Sequence, residues 1–237
     1  MLKQYTYLLI DLLAISVPFI FSFHPKIQFH KVWKSFFPSV IISGIIFLMG
    51  DALYTHLGVW GFNPDYLTGI QVGNLPLEEV LFFFCIPYAC VFSYHCFDRL
   101  VDFKKYEQIK KWLGPGIIAF SAVLSVIYYD RLYTFAACAG LVLMLIMVQY
   151  WFKVKWLSKF FIVYAFLLIP FLMVNGLLTG TGLAEPIVWY DDNENMGLRI
   201  LSIPFEDLFY GMSMILMNVF GFEILNARNP VSLSKVA

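Results

Sequence analysis

Seven long apolar runs constrain the fold of this chain more than any other feature. Each is close to the roughly 20 residues that an α-helix needs to cross the hydrocarbon of a bilayer. The runs are apolar on every face, whereas strands of a membrane barrel would alternate. The composition agrees, being 60% hydrophobic and 14% charged. We therefore predict an all-α fold, a polytopic membrane bundle of seven transmembrane helices at residues 5–23, 36–55, 76–97, 113–129, 132–152, 159–179 and 204–223.

The distribution of Lys and Arg predicts how the bundle lies in the membrane. The N-terminus and the loops on its side of the bilayer carry three basic residues, and the opposite side carries thirteen. Cytoplasmic loops carry an excess of Lys and Arg. We expect a multi-pass protein of the cell membrane with its N-terminus outside and its C-terminus in the cytoplasm. The formal net charge of zero argues against nucleic acid as a partner.

An internal repeat is the most informative pattern. Residues 69–76 and 197–204 correspond at an offset of 128, and the match continues into the acidic motifs Pro76-Leu77-Glu78-Glu79 and Pro204-Phe205-Glu206-Asp207. Upstream, Asp51 corresponds to Asn175 at an offset of 124. We interpret residues 1–237 as a single transmembrane domain with repeats 1–98 and 132–226. The connector helix 113–129 makes the repeats parallel, so both motifs lie at the outer face.

Each acidic pair follows a proline at the start of a predicted helix. Asn74 and Ser202, two positions before the prolines, are residue types favoured as N-caps, and acids in a first helical turn are stabilised by the helix dipole. The four acids are therefore helix-start acids at the lipid headgroups, or they form a site, because ionisable groups at a hydrocarbon boundary are costly and usually functional. In a dry pocket, four carboxyls cannot all stay ionised. Such a site holds a protonated acid beside a carboxylate base.

Aromatic residues crowd both motifs. They form a cation-stabilising pocket or an interfacial belt of Trp and Tyr. The candidates for substrate contact are Trp60, Phe82, Phe83, Trp189, Tyr210, Asp51, Asn175 and Asn74.

Metal and cofactor sites are not predicted. The four His residues lack ligand spacing, and a glycine-rich dinucleotide motif is absent from the sequence. The acidic run at 191–195 is similar to motifs that hold magnesium diphosphate, but it occurs once, and a solvated loop is the favoured interpretation.

The duplicated Pro-x-Glu-Glu/Asp motif resembles that of the integral-membrane lycopene cyclases of carotenoid synthesis, which occur as two small subunits or one fused chain. The loops before the motifs, 60–74 and 189–202, are also similar, and the resemblance covers nearly the full length. It implies the fused form of an intramolecular lyase or isomerase without a cofactor. The substrate would be an apolar polyene, lycopene or a related carotenoid, and the product γ-carotene, β-carotene or both. The resemblance is also compatible with contact between this protein and other carotenoid enzymes.

The chemistry of that family implies roles for the acids. A proton adds to C2 of the ψ end, the C5=C6 bond attacks the cation at C1, and a proton leaves C6. We expect Glu78 and Glu206 to serve as acid and base in either order, with Glu79 and Asp207 tuning their proton affinities.

Two other functions remain compatible with the sequence. A small-molecule transporter can have the same plan of three helices, a connector and three helices in parallel repeats. A magnesium-dependent membrane prenyltransferase would use the acidic run. A retinal protein is excluded because it needs a lysine in the last helix, and residues 204–223 contain none.

Overall fold

Seven helices form the bundle in the computed structural model of the chain, which describes residues 3–101 and 103–228. Each is long and apolar enough to cross a membrane, which confirms the predicted all-α, multi-pass architecture. Residues 1–2, 102 and 229–237, including Lys235 of the charge count, lie outside the described residues. The helices are α1 (Thr6–Phe21), α2 (Trp33–Leu57), α3 (Leu77–Leu100), α4 (Ile109–Ile127), α5 (Leu132–Ile146), α6 (Leu157–Leu178) and α7 (Asp207–Arg228).

Five prolines lie inside the spanning helices. They do not end these helices, and they are Pro18 in α1, Pro38 in α2, Pro87 in α3, Pro115 in α4 and Pro170 in α6. Proline removes a backbone donor, and neighbouring helices in a membrane bundle can satisfy the carbonyl that it frees.

Helix α7 is the central element of the packing. It packs against α2, α5 and α3, while α1 packs along α3. The α2–α7 contact is close because Gly221 has no Cβ, which would lie 2.3 Å from the Ser39 hydroxyl oxygen. Ser39 Oγ donates to the Asn218 carbonyl (2.8 Å), and Ser43 Oγ donates to Asn218 Oδ1 (2.7 Å). Small residues and interhelical hydrogen bonds are the usual means of association between membrane helices.

Two loops cover one end of the bundle. The α2–α3 loop and the α6–α7 loop pair through antiparallel strands β1 (Trp60–Phe62) and β4 (Val188–Tyr190). Each loop then forms a hairpin directly before its acidic motif. The hairpin strands are β2 (Gln71–Val72) with β3 (Leu75–Pro76), and β5 (Arg199–Ile200) with β6 (Ile203–Pro204).

The prediction that Asn74 and Ser202 are N-caps is wrong. Both lie in hairpin turns, and the N-cap position of α3 is Pro76, without a side-chain cap. Asn74 Nδ2 donates to the Ala52 carbonyl at the end of α2 (2.8 Å), and Ser202 Oγ donates to the Gly176 carbonyl near the end of α6 (3.1 Å). The first residue of each two-residue turn has a positive φ, 66° at Gly73 and 58° at Leu201. Because Asn74 and Ser202 are the second residues of these turns, neither occupies the N-cap position of the following helix.

The two loops also make matching backbone contacts. Leu77 N–H donates to the Ile70 carbonyl and Phe205 N–H to the Leu198 carbonyl, both at 2.9 Å. These positions differ by the same 128 residues as the acidic motifs. The matching contacts support our proposal that 1–98 and 132–226 are repeats joined by the connector helix.

An ion-pair cluster joins three helices at the opposite end of the bundle. Lys159 Nζ of α6 lies 2.8 Å from Asp98 Oδ1 of α3 and 3.1 Å from Glu223 Oε1 of α7. This cluster is far from the loops and fixes the ends of α3, α6 and α7 relative to one another.

Candidate active site

One cavity of about 260 Å³ lies between α1, α3, α6 and α7, beneath the paired loops. Glu79 and Asp207, one from each acidic motif, both line its end beneath the loops. The lining continues along α3 as far as Ser93, a helical rise of about 21 Å. Below the acids the wall is largely apolar and includes Ile86, Leu167 and Ile215. An elongated apolar molecule therefore fits with one end at the carboxyls.

Asp207 accepts hydrogen bonds on both carboxyl oxygens. Tyr133 OH donates to Oδ1, while Asn175 Nδ2 (2.6 Å) and Tyr190 OH (3.2 Å) donate to Oδ2. The donors come from α5, α6 and β4, so three separate elements fix this carboxyl. Three donors on one group are the arrangement that suits an ionised carboxylate, which can only accept.

Glu79 and Asp51 form the opposite side of this end of the cavity, which we call the chamber. Glu79 Oε2 accepts from Tyr7 OH of α1 (2.5 Å), and Asp51 Oδ1 accepts from Trp60 Nε1 (2.7 Å). Asp51 is only 2% exposed, and its second oxygen, Oδ2, is buried and has no partner among the described residues. Both carboxyls line the cavity and interact electrostatically with each other.

Glu78 and Glu206 are fully buried but do not line this cavity. Glu78 Oε1 accepts from the Thr68 N–H (2.7 Å), and Glu206 Oε1 accepts from the Met196 N–H (2.6 Å), in each case ten residues earlier. Thr134 Oγ1 also donates to Glu206 Oε1 (2.5 Å). The first acid of each motif therefore binds the backbone of its loop, and the second faces the cavity.

Six carboxyls of the bundle are buried, and none of the ion pairs formed by the described residues includes any of them. Within the same part of the chain, no group of three or more His, Cys, Asp or Glu side chains could hold a metal ion. An uncompensated charge is costly in a poorly hydrated environment. The buried carboxyls are Asp11, Asp51, Glu78, Glu79, Glu206 and Asp207.

Four aromatic rings surround the acids. Trp60 packs against Tyr133 (ring centroids 5.1 Å apart) and Tyr210 (6.2 Å), and Tyr133 stacks on Tyr190 (5.7 Å). Burial, and then the charge of Asp207, raise the pKa of Tyr190 well above its usual value. Tyr190 therefore remains a hydrogen-bond donor. The chamber combines carboxyls with aromatic faces that stabilise positive charge.

The structure brings together most of the sequence-predicted residues, with four exceptions. Asn74 is exposed in a hairpin turn, and Trp189 is 44% exposed, with its ring packed over Gly61. Glu78 and Glu206 face the loops. The predicted residues that do line the cavity are Glu79, Asp207, Asp51, Asn175, Trp60, Phe82, Phe83 and Tyr210.

Tyr7 and Tyr133, the donors to the two cavity acids, were not predicted. Each lies in the first turn of a helix, α1 or α5, that packs beside an acidic motif. A signal was present in the sequence, since Tyr5-Thr6 corresponds to Tyr133-Thr134 at the offset of 128. In the structure it is Tyr7, two residues after Tyr5, that takes the position equivalent to Tyr133.

The acidic run at 191–195 binds groups of its own loop and of the start of α5. Asp192 Oδ1 lies 2.5 Å from Arg199 Nη2, and this contact holds the pKa of Asp192 below its usual value. Glu194 Oε2 accepts from the Leu132 N–H (3.0 Å) at the start of α5. These contacts support the solvated-loop interpretation of the run.

A second cavity of about 220 Å³ lies between α2, α5 and α7. Tyr133 and Tyr210 belong to both cavities and separate them. The residues that line it include no carboxyl. Carboxyls therefore line the first cavity and not the second.

The family model described as Lycopene cyclase matches residues 4–97 and 130–225. No curated protein and no solved structure matches the chain. The two matched segments cover most of the sequence, and each contains one Pro-x-acid-acid motif. They also include the tyrosines that donate to Glu79 and Asp207. The chain belongs to the lycopene cyclase family and is a multi-pass membrane enzyme of carotenoid biosynthesis.

Proposed function

We propose that the enzyme converts the ψ ends of lycopene to β rings by acid/base catalysis without net redox change. One observation carries the proposal. Glu79 and Asp207, which are 128 residues apart in sequence, line the same end of a single, largely apolar cavity. The paired loops cover that end, and the largely apolar wall below it matches a hydrocarbon substrate.

The residues in the chamber meet each requirement of the reaction. One carboxylic acid adds a proton to C2 of the terminal alkene, and the C5=C6 bond then attacks the cation at C1. Trp60, Tyr133 and Tyr210 surround the acids, and their ring faces stabilise the cation while it persists. A carboxylate removes the proton from C6, so one proton enters and one leaves. Exclusion of water protects the cation from hydration.

We assign the proton transfers to Glu79 and Asp207. The sequence led us to expect this role for Glu78 and Glu206, but neither lines the cavity. Each of those two accepts a loop N–H, at Thr68 or Met196. Their proposed role is to hold the loops over the chamber.

A single site then acts on both ends of the substrate. The two cavity acids belong to different motifs but share one chamber, so the acidic pairs are not two independent active sites. We expect γ-carotene to form first, and β-carotene to form after the substrate turns round. In the proposed orientation, the chamber lies near the outer face of the cell membrane.

The other two functions gain no support from a specific contact. A transporter would need polar groups along the mid-membrane part of its pathway, whereas the carboxyls of this cavity lie at its outer end. A magnesium-dependent prenyltransferase would need free acids in the 191–195 run, and Asp192 and Glu194 there bind Arg199 and the Leu132 N–H.

The test is expression of the chain in cells that accumulate lycopene, followed by chromatography of the extracted pigments. We expect monocyclic and bicyclic products with the same elemental composition as lycopene. Addition of a chelator to membranes from these cells should leave ring formation unchanged. Unaltered lycopene at full expression of folded protein would refute the proposal, and activity that requires magnesium would favour a prenyltransferase.

A further inference from the structure

The two repeats present the same three positions to the chamber with one chemical difference. Glu79 corresponds to Asp207, and each accepts from a tyrosine hydroxyl, Tyr7 or Tyr133. The third position is Asn175 in the second repeat and Asp51 in the first. Asn175 donates to Asp207 at 2.6 Å. An aspartate at the equivalent position has no N–H to donate.

Asp51 can therefore act toward Glu79 as Asn175 acts toward Asp207 only if a proton lies between the two carboxyls. Asp51 Oδ1 already accepts from Trp60, and Oδ2 is buried without a partner among the described residues. Glu79 is 7% exposed, and the ion pairs of the described residues leave both carboxyls without a cation. Two neighbouring carboxyls in such a setting behave as one group that retains a proton.

We propose that Asp51 and Glu79 share one proton and form the acid half of the chamber, while Asp207 with its three donors is the base half. This assignment rests on the proposed function and deepens it. The first repeat donates a proton to the substrate, and the second repeat accepts one from it. Asp51 is a positioning residue, because it holds the proton that Glu79 delivers. The difference between Asp51 in the first repeat and Asn175 in the second determines which repeat donates the proton and which accepts it.

The steps balance without another reactant. The O–H bond of Glu79 breaks as the C2–H bond forms, and the Asp51–Glu79 pair gains one negative charge. The C6–H bond then breaks, and its proton binds Asp207. Transfer of that proton back to the Asp51–Glu79 pair restores the starting state. All three carboxyls line the same cavity, so the return path lies within it.

The shared proton can be measured without substrate. In the infrared spectrum of the purified protein, we expect the carbonyl stretch of a protonated carboxylic acid. The wild-type-minus-variant difference spectrum should contain this band for Glu79→Gln and also for Asp51→Asn, because the amide introduced at position 51 would donate to an ionised Glu79. The matched control is Asp65→Asn, since Asp65 is an exposed acid paired with Lys3 and should not contribute to the band. Retention of the full band in Asp51→Asn would overturn the proposal.

Pigment analysis gives the second readout. We expect Asp51→Asn to lower ring formation at least ten-fold and Asp51→Glu to retain most of it, because glutamate can also share the proton. Asn175→Asp should add a protonated carboxyl opposite Asp207 and lower ring formation to a similar extent. Full activity in Asp51→Asn, or equal loss in Asp51→Asn and Asp51→Glu when both fold, would contradict the assignment.

The double variant Asp51→Asn/Asn175→Asp gives the first repeat the asparagine of the second and the second repeat the aspartate of the first. We expect it to form more rings than either single variant, with the protonated-acid band now dependent on Asp207. A double variant no better than the singles, with the band still dependent on Glu79, would overturn the proposal. If the wild-type protein makes no rings, the proposed function fails, whereas the infrared result still reports on the shared proton.

Discussion

At the scale of the residue, the two acids of each motif have different tasks although they are adjacent in sequence. Glu78 and Glu206 accept backbone N–H groups of their loops, and Glu79 and Asp207 face the cavity. Neighbouring residues at the start of a helix project about 100° apart around its axis. The two acids of a motif therefore point in different directions, and in each motif it is the second that lines the cavity.

The hydroxyl of Tyr133 is expected to be important for activity. Tyr133→Phe removes the donor to Asp207 Oδ1 and keeps the ring beside Trp60. A hydrogen bond to a charged group contributes about 1.5–3 kcal/mol, so we expect ring formation to fall about ten- to hundred-fold. Pigment analysis at matched expression measures the change. Tyr129→Phe is the control, because Tyr129 is 76% exposed, and an equal loss there would contradict the role of Tyr133.

The carboxyl of Glu206 is expected to stabilise the fold. Glu206→Ala leaves the Met196 N–H and the Thr134 hydroxyl without their acceptor, and we expect a loss of about 3 kcal/mol. Glu206→Gln keeps an acceptor oxygen and should cost less than half of that. Chemical unfolding in detergent compares the two variants with the wild type. Equal stability of Glu206→Ala and the wild type would show that this contact does not hold the loop.

The sequence was sufficient to predict the acidic pairs, Asp51 and Asn175, but not which acid of each pair faces the cavity. That choice depends on where the hairpins lie relative to α3 and α7. Tyr7 and Tyr133 were missed for a related reason, since their importance comes from packing across helices distant in sequence. Asn74 and Ser202 were assigned as caps because local propensity favours that role, whereas the hairpin turns override it.

At the scale of the element, the helices were predictable and the loops were not. The spans have an uninterrupted apolar signal, and the observed bounds of α1 and α6 differ from the predicted ones by at most two residues. The strands are two or three residues long, too short for a recognisable alternation. The β1–β4 pair also joins loops from different halves of the chain, which no local pattern reveals.

The contact between α2 and α7 gives a prediction at this scale. Gly221→Ala would place a Cβ 2.3 Å from Ser39 Oγ and 3.1 Å from Ser39 Cβ. The helices would have to move apart and weaken the hydrogen bond from Ser39 to the Asn218 carbonyl, at a cost of about 1–3 kcal/mol. The apparent melting temperature in detergent should fall accordingly.

The matched control for this prediction is Gly116→Ala. Gly116 lies in α4, and a Cβ there meets no atom within 4 Å. Because alanine favours a helix more than glycine does, we expect a gain of up to about 1 kcal/mol. If both variants shift the melting temperature in the same direction, close packing of α2 on α7 is not the cause.

At the scale of the whole molecule, the bundle has two ends of different character. One end carries the loops and the carboxyls that line the cavity, and the other carries the Lys159 cluster and most of the basic residues. The count of three against thirteen Lys and Arg predicts that the loop end faces outward. The substrate would then reach the acids from the hydrocarbon of the membrane, along the apolar part of the cavity.

Reporter fusions measure this orientation directly. A reporter that is active only in the cytoplasm should be active when fused after residue 237 and inactive when inserted in the 191–195 loop. A reporter that is active only outside should give the reverse pattern. Cytoplasmic activity of the loop fusion would contradict the proposed orientation and move the chamber to the inner face.

The central claim is that the second acid of each motif transfers the protons. Its most direct test compares Glu79→Gln with Glu78→Gln in lycopene-accumulating cells, by quantifying cyclised carotenoid at equal levels of folded protein. Both changes keep the side-chain shape and remove proton exchange, and the amide oxygen introduced at position 78 can still accept the Thr68 N–H. The account predicts loss of rings for Glu79→Gln and substantial retention for Glu78→Gln. Full ring formation by Glu79→Gln, or loss confined to Glu78→Gln, would contradict it.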